Sequence, residues 1–162
     1  MTDPLVFRPI SLAAHFDDCI RISREIWLIG FGTLDGYAAL MGDDHALYRQ
    51  MLVSRIAQLP SGNCHLWQGD DLVGQLEMSI KDGRAYVHCF YLAPALRGQG
   101  RLSLLHEQAC LAARSVGLMA LELSVSPANV SAIRAYEKLG WRDAGIRPDR
   151  PELRLMRYTT SP

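Results

Sequence analysis

Apolar residues follow a helical period in the first third of the chain and an alternating period after residue 64. The short stretch from Leu5 to Pro9 predicts a first strand that ends at a proline. Helical spacing then predicts helices over about residues 11–28 and 45–59, and four glycines between them predict a loop or a broken helix. The front third is therefore expected to be mostly helical.

Alternation of apolar and polar residues predicts strands through the middle of the chain. Residues 64–69 and 72–80 alternate, and residues 85–92 follow an Asp82-Gly83 pair that is typical of a hairpin turn. A helix over residues 101–116 and a strand over residues 119–125 then complete a crossover whose two strands run parallel. A last helix from about Pro127 to Gly140 and closing strands near residues 141–146 and 152–158 make the expected fold mixed α/β (α+β).

Size and charge narrow the possible partners. With 162 residues, 49% of them hydrophobic, the chain fits one domain over residues 1–162. Seventeen basic and seventeen acidic residues balance, which argues against a nucleic-acid partner and against a polybasic membrane anchor. No stretch resembles a secretory signal or approaches the ~20 apolar residues of a spanning helix, so we expect a cytoplasmic protein with a small ligand.

The spacing of the cysteines and histidines does not match a metal-binding motif. The cysteines at 19, 64, 89 and 110 lie too far apart for CxxC pairs, and the histidines lack HxxxH-like spacing. We therefore expect free, buried thiols and no bound metal.

The stretch YLAPALRGQGRLSLL, residues 91–105, joins a predicted strand to a predicted helix. Backbone N–H groups are unpaired at such a turn and meet the positive end of the helix dipole, which favours an anion. Gly98 and Gly100 keep side chains away, while Arg97 and Arg101 add positive charge. The pattern predicts a diphosphate cradle, with a tight turn and solvated arginines as the alternative. Walker A and Rossmann sites are excluded because their lysine or third glycine is missing.

Two motifs resemble the GNAT superfamily of acyl-CoA-dependent N-acetyltransferases. The family's motif A, R/Q-x-x-G-x-G/A, is similar to Arg97, Gly98, Gln99, Gly100, Arg101 and Leu102, with Leu102 larger than the residue expected in the sixth position. Its motif B resembles residues 125–141, through Asn129, Ala132, Tyr136, Gly140 and Trp141. The resemblance covers roughly residues 64–158.

The resemblance implies a GNAT-like fold, namely a mostly antiparallel sheet that is flanked by helices and splayed between two central parallel strands. It implies acetyl-CoA as cosubstrate, with the backbone of Phe90, Tyr91 and Leu92 along the pantetheine arm and residues 97–102 on the pyrophosphate. It also implies a primary amine acceptor, which we expect to be a small molecule, and a possible homodimer.

Helix geometry adds to the second motif. Seven residues climb ~10.5 Å over almost two turns, so Asn129 and Tyr136 share one helix face. An elongated ligand there would place its amide near Asn129 and its sulfur near Tyr136, whose phenol would protonate the leaving thiolate. The alternative is a helix-start asparagine and a core tyrosine.

A general base is predicted from the hairpin register. With Asp82-Gly83 as a two-residue turn, Glu77 faces His88 and Met78 faces Val87. A carboxylate beside His88 would raise the pKa of the imidazole, which is suited to proton transfer near neutral pH. The alternative is a solvated or structural pair. The same register places Phe90 on the His88 side and Cys89 on the opposite side, which argues against a Cys–His nucleophile.

Two further possibilities remain open at this point. The acceptor could instead be a protein lysine or amino terminus, or the domain could sense acyl-CoA without turnover. Trp27, Phe31 and Tyr37, around the glycine-rich segment, are either core residues or the walls of an amine pocket.

Overall fold

The computed structural model describes residues 2–161, which form one seven-stranded sheet with helices on both faces. The strands are β1 (Leu5–Pro9), β2 (Cys64–Gln68), β3 (Asp71–Lys81), β4 (Arg84–Leu92), β5 (Ala120–Val125), β6 (Arg142–Ile146) and β7 (Arg154–Thr159). The α-helices are α1 (Leu12–Phe31), α2 (Tyr37–Met41), α3 (Ala46–Gln58), α4 (Leu102–Ser115) and α5 (Val130–Lys138).

The strand order is β1-β2-β3-β4-β5-β7-β6. Every neighbouring pair is antiparallel except β4 and β5, which the α4 crossover makes parallel. The main core lies between this sheet and α4 and α5, while α1 and α3 pack on the other face. The predicted mixed, mostly antiparallel sheet is therefore confirmed.

Local sequence explains where the site-forming elements begin and end. Helix α1 begins after Ser11, whose hydroxyl accepts a hydrogen bond from Ala14 N, and ends at Gly32 in the left-handed region. In α4, Leu105, Ala109 and Ala112 recur at steps of three and four and are fully buried. The glycine-rich segment forms short α2 and a 3-10 turn at Asp43–His45, which agrees with the predicted broken helix.

Strands β4 and β5 pair over only three residues each. The parallel ladder joins Ala85–Val87 to Leu121–Leu123, whereas β4 continues to Leu92 and β5 to Val125. Beyond Val87 and Leu123 the two strands separate, so a gap opens in the middle of the sheet. The predicted splay between two central parallel strands is confirmed.

One register prediction is wrong. Met78 does face Val87, but Glu77 faces Cys89, because β4 contains one extra residue, His88, at this point. This β-bulge shifts the rest of β4, so that Phe90 pairs with Leu76 and joins the main core. His88 and Cys89 consequently share one side of the sheet, and Phe90 lies on the other.

Two other expectations concern the whole chain. All four cysteines are buried, with free thiols, as predicted. Within residues 2–161, no helix has both the length and the apolar character needed to cross a bilayer.

Candidate active site

The turn between β4 and α4 exposes a row of backbone amides. Gly98 and Gly100 adopt φ angles of 72° and 73°, in the left-handed region that favours glycine. A Cβ on either residue would meet no atom within 4 Å, so the space beside the turn is open. Among residues 2–161, the N–H groups from Gly98 to Leu102 have no hydrogen-bond acceptor. These amides and the first turn of α4 form a site suited to an anion.

The two arginines of this turn have different partners. Arg97 donates to the carbonyl oxygen of Leu92 at 2.9 Å and forms a 2.8 Å ion pair with Glu25 of α1. Arg101 is exposed and forms no ion pair within the described part of the chain. Arg97 is thus held by α1 and β4 and Arg101 is not, and the expectation that both guanidiniums hold the anion stays a prediction.

The carboxylate of Glu25 is adapted to this contact. Partial burial would raise the pKa of Glu25, but hydrogen bonds from Tyr91 and Arg97, with the charge of Arg97, hold it below its usual value. The Tyr91 hydroxyl donates to Glu25 at 2.8 Å. Glu25 is a residue that sequence reasoning missed, since nothing in an amphipathic helix marks which acid meets a distant loop.

The other turn residues leave the amides accessible. Gln99 donates its side-chain N–H to the carbonyl oxygen of Ala95 at 2.7 Å. Leu102 packs against the main core, so the bulk at the sixth motif position lies away from the open space beside Gly98 and Gly100.

Backbone groups of β4 line the gap in an alternating order. Ala93 N–H donates to Val73 of β3, and the parity of an antiparallel ladder then directs Tyr91 to β3 as well. Phe90 and Leu92 direct their main-chain groups to the gap, in agreement with the bond from Arg97 to Leu92. Of the three residues predicted along the pantetheine arm, two therefore present free-edge backbone.

Helix α5 borders the gap from the main-core side. Tyr136 packs with its ring centroid 6.0 Å from that of Phe90 and 6.2 Å from that of Trp141. Burial raises the pKa of the Tyr136 phenol, and the nearby Cys89 thiol raises it further. The phenol therefore keeps its proton at neutral pH.

Asn129 has a structural role at the start of the same helix. Its side-chain oxygen accepts from Ala132 N at 3.4 Å, so it is the N-cap of α5. The helix-start interpretation of Asn129 is thus correct for its side-chain oxygen, and the residue as a whole is half-buried.

His88 lies beside the point where β4 and β5 separate. Its Nε2 is 2.7 Å from Ser79 Oγ, and its ring centroid is 4.7 Å from that of Tyr86. The His88 side chain is exposed to solvent.

The pKa of His88 is held well below its usual value. The first cause is loss of hydration around the ring, and the second is the positive charge of Arg55, Arg147 and Lys81. None of the three cations is a hydrogen-bond partner of His88, and all three oppose a positive charge on the imidazole. The expected rise in the pKa of His88 is therefore wrong, and the imidazole is neutral at pH 7.

Glu77 does not tune His88. It is 3% exposed and accepts hydrogen bonds from Arg55 at 2.7 Å, Tyr48 at 2.8 Å and Gln75 at 2.6 Å. The bulge at His88 is the physical reason, because it aligns Glu77 with Cys89 instead. Burial and the charge of Glu77 raise the pKa of the Cys89 thiol well above its usual range, so Cys89 is not a nucleophile.

Residues that the sequence did not single out cover the closed end of the gap. Tyr86 of β4 and Ser124 of β5 share a short hydrogen bond between their hydroxyls. Arg147, in the β6–β7 loop, donates to both oxygens at 3.3 Å and is itself held by Asp149. The alternation along β5 gave a weak signal for Ser124, whereas the loop around Arg147 gave none.

The aromatic residues of α1 and α2 are mostly core. Trp27 and Tyr37 pack in the cluster beneath α1 and α3, and Tyr37 also lines a cavity of about 310 Å³ near α2. Arg150 of the β6–β7 loop lies over Trp27 and Phe31, at 5.8 and 5.6 Å from the ring centroids. Arg150 thus joins the β6–β7 loop to α1.

Comparison with solved structures finds the same fold. The PaiA N-acetyltransferase of Thermoplasma acidophilum, in complex with coenzyme A, has a TM-score of 0.77 at 15% identity, over 96% of this chain and 99% of that one. The ribosomal-protein-S18-alanine N-acetyltransferase of Escherichia coli has a TM-score of 0.64 at 18% identity, over 98% and 96%. Nourseothricin acetyltransferase has a TM-score of 0.55 at 25% identity, over 61% and 65%.

Sequence comparisons identify the family. No curated protein matches the chain significantly. The family model described as "Acetyltransferase (GNAT) family" matches residues 21–141, which span both motifs, the split strands and the glycine turn. The chain therefore belongs to the GNAT acetyltransferase family.

Proposed function

We propose that this protein transfers an acetyl group from acetyl-CoA to a primary amine of a small molecule, by direct attack in a ternary complex. The observation that carries the proposal is the row of amides from Gly98 to Leu102, which have no acceptor among residues 2–161 and lie at the mouth of the gap between β4 and β5. A diphosphate fits such a row, because several N–H groups and a helix dipole favour its charge. The coenzyme A complex of the similar PaiA enzyme supports this ligand.

The gap has the length that the ligand needs. The arm between the diphosphate and the sulfur has about 12 bonds, as many as four residues, and spans ~14 Å when extended. Because His88 is the extra residue of the bulge, β4 from Leu92 to Val87 faces four steps of β3, Gly74 to Met78, which cover ~13 Å. The sulfur would therefore lie near the closed end of the gap, level with His88 and beside the phenol of Tyr136.

When bound, acetyl-CoA supplies an activated carbonyl carbon and a thiolate leaving group. The gap-facing N–H groups of β4 would stabilise the negative charge that develops on the carbonyl oxygen as the C–N bond forms. Neutral His88 would accept the proton that the attacking nitrogen loses, directly or through one water, with Nε2 oriented by Ser79. Tyr136 would donate its proton to the sulfur as the C–S bond breaks, which leaves free CoA thiol and an amide product.

A small acceptor is favoured by the β6–β7 loop. Arg147 of this loop bonds Tyr86, whose ring lies 4.7 Å from that of His88, and Arg150 joins the same loop to α1. The loop would therefore partly cover the acceptor side, which a free amine can enter more easily than a folded protein surface. The structural relatives include one named for an alanine of a ribosomal protein and one named for nourseothricin, so the acceptor class has to be tested directly.

The test measures thiol release from acetyl-CoA on addition of a panel of diamines, amino sugars, amino acids and amino-terminal peptides. We expect turnover with at least one small amine and none with the peptides. Tyr136→Phe and His88→Ala should each lower kcat at neutral pH, by about 100-fold. Full kcat in Tyr136→Phe would exclude its acid role, and CoA binding without turnover on the whole panel would favour a sensor.

A further inference from the structure

The closed end of the gap is covered on both faces of the sheet. On the main-core side lie Val87 and Leu123, which are 4% and 3% exposed. On the other side the hydroxyls of Tyr86 and Ser124 meet directly above the last strand pair, and Arg147 lies over both. We call Tyr86, Ser124 and Arg147 the apex clasp.

The apex clasp is held in place by the surrounding residues. Tyr86 is 5% exposed. Lys81 lies 5.6 Å from the centre of its ring, and Arg147 lies 5.9 Å from it. The guanidinium of Arg147 is fixed from behind by two bonds to Asp149, at 2.7 and 2.9 Å. The clasp therefore has few ways to move aside without breaking bonds.

An acyl group on the sulfur would point towards this closed end. The ligand would enter at the glycine turn and run antiparallel to β4, so anything beyond the sulfur lies past His88. The last paired residue, Val87, directly precedes the bulge residue His88, so the paired strands begin within one residue of the expected sulfur position. The closed end therefore favours a short acyl group over a long one.

We propose that the apex clasp limits the acyl donor to short chains, with Tyr86, Ser124 and Arg147 as specificity-determining residues. This inference rests on the function proposed above, because it places the thioester level with His88. It concerns the donor rather than the amine, and it assigns a purpose to three polar residues that form no hydrogen bond with His88 or Tyr136, although the Tyr86 ring packs beside that of His88.

The experiment measures dissociation constants for CoA, acetyl-CoA and butyryl-CoA by calorimetry, with the full chain. The readout is the ratio of the butyryl-CoA constant to the acetyl-CoA constant within one variant, so general damage to the cleft cancels. In the wild-type protein, we expect butyryl-CoA to bind at least about tenfold more weakly than acetyl-CoA. In Tyr86→Ala and Arg147→Ala, which open the clasp, the ratio should fall to near unity.

Two control variants distinguish the loss of side-chain volume in the apex clasp from the loss of a polar or charged group. Tyr86→Phe keeps the ring and should keep most of the discrimination. Arg157→Ala removes an arginine from the same sheet face, where it pairs with Glu122 two residues from Ser124, and should keep the wild-type ratio. Circular dichroism confirms that each variant is folded.

The outcomes are distinct. Equal wild-type affinity for acetyl-CoA and butyryl-CoA would overturn the clasp proposal, as would an unchanged ratio in both opened variants or an equal loss in Arg157→Ala. Failure of the wild-type protein to bind any of the three, CoA included, would instead overturn the proposed function itself.

Discussion

Arg97 and Glu25 form a 2.8 Å ion pair that ties the first residue of the glycine turn to α1. The same guanidinium bonds Leu92 at the end of β4, so Arg97 connects three elements around the mouth of the gap. Arg101, four residues later, has no such commitment among the described residues. The two arginines of motif A therefore have separable roles.

We predict that Arg101→Ala weakens CoA binding while Arg97→Ala mainly lowers stability. Loss of a charged hydrogen-bond donor to the diphosphate should raise the dissociation constant about tenfold. Arg97→Ala leaves Glu25 and the Leu92 carbonyl without their partner and should lower the melting temperature more than Arg101→Ala does. Calorimetry and thermal unfolding measure the two effects. A larger loss of CoA affinity in Arg97→Ala would show that Arg97 leaves Glu25 when the ligand binds.

Substitutions in the glycine turn can distinguish an effect on backbone strain from an effect on diphosphate binding. Gly98→Ala and Gly100→Ala each place a Cβ at positive φ, which lowers the free energy of unfolding by roughly 1 kcal/mol. Each Cβ would also occupy the open space that the diphosphate needs. Gly83→Ala is the matched control, because Gly83 has a φ of 73° and equally open surroundings in the β3–β4 turn. Denaturant unfolding should show similar losses for all three variants. Only Gly98→Ala and Gly100→Ala should lose CoA affinity, and a comparable loss in Gly83→Ala would argue against the cradle.

The lowered pKa of His88 predicts the pH dependence of turnover. A base must be neutral, so the acid limb of kcat/KM should lie below the usual histidine value of about 6.5 and activity should be lost as pH falls through it. Lys81→Ala removes one of the cations that oppose the imidazolium, so the limb should move to higher pH. The measurement is a pH–rate profile with one active amine. A limb above the usual histidine value in the wild-type protein would contradict this electrostatic account.

Much of the architecture could be predicted from the sequence, because hydrophobic periodicity and turn residues are local features that the folded chain keeps. Alternation and the Asp82-Gly83 turn define the β3–β4 hairpin, and the crossover rule makes β4 and β5 parallel. Gly98 and Gly100 indicate the turn because positive φ favours glycine.

The bulge at His88 could not be predicted in the same way. It contains no glycine, and a single extra residue leaves the alternation on either side intact. Its effect is large, since it moves Phe90 to the core side and pairs Glu77 with Cys89. Contacts between residues far apart in the sequence could not be predicted either. The loop that brings Arg147 over Tyr86 and Ser124 has no periodic pattern.

Substitution of Glu77 can distinguish a structural role in the buried hydrogen-bond network from an effect on the pKa of His88. Glu77→Gln keeps the shape of the side chain but removes the negative charge that compensates Arg55, which is 13% exposed. Breaking a buried pair from one side costs about 3 kcal/mol, which chemical denaturation of the variant would measure. Because Glu77 bonds Arg55, Tyr48 and Gln75 and does not contact His88, the acid limb of kcat/KM should stay where it is in the wild-type protein. If the limb instead moved down by about one pH unit with little change in stability, Glu77 would be acting on His88 after all, through a conformation in which the bulge in β4 is absent.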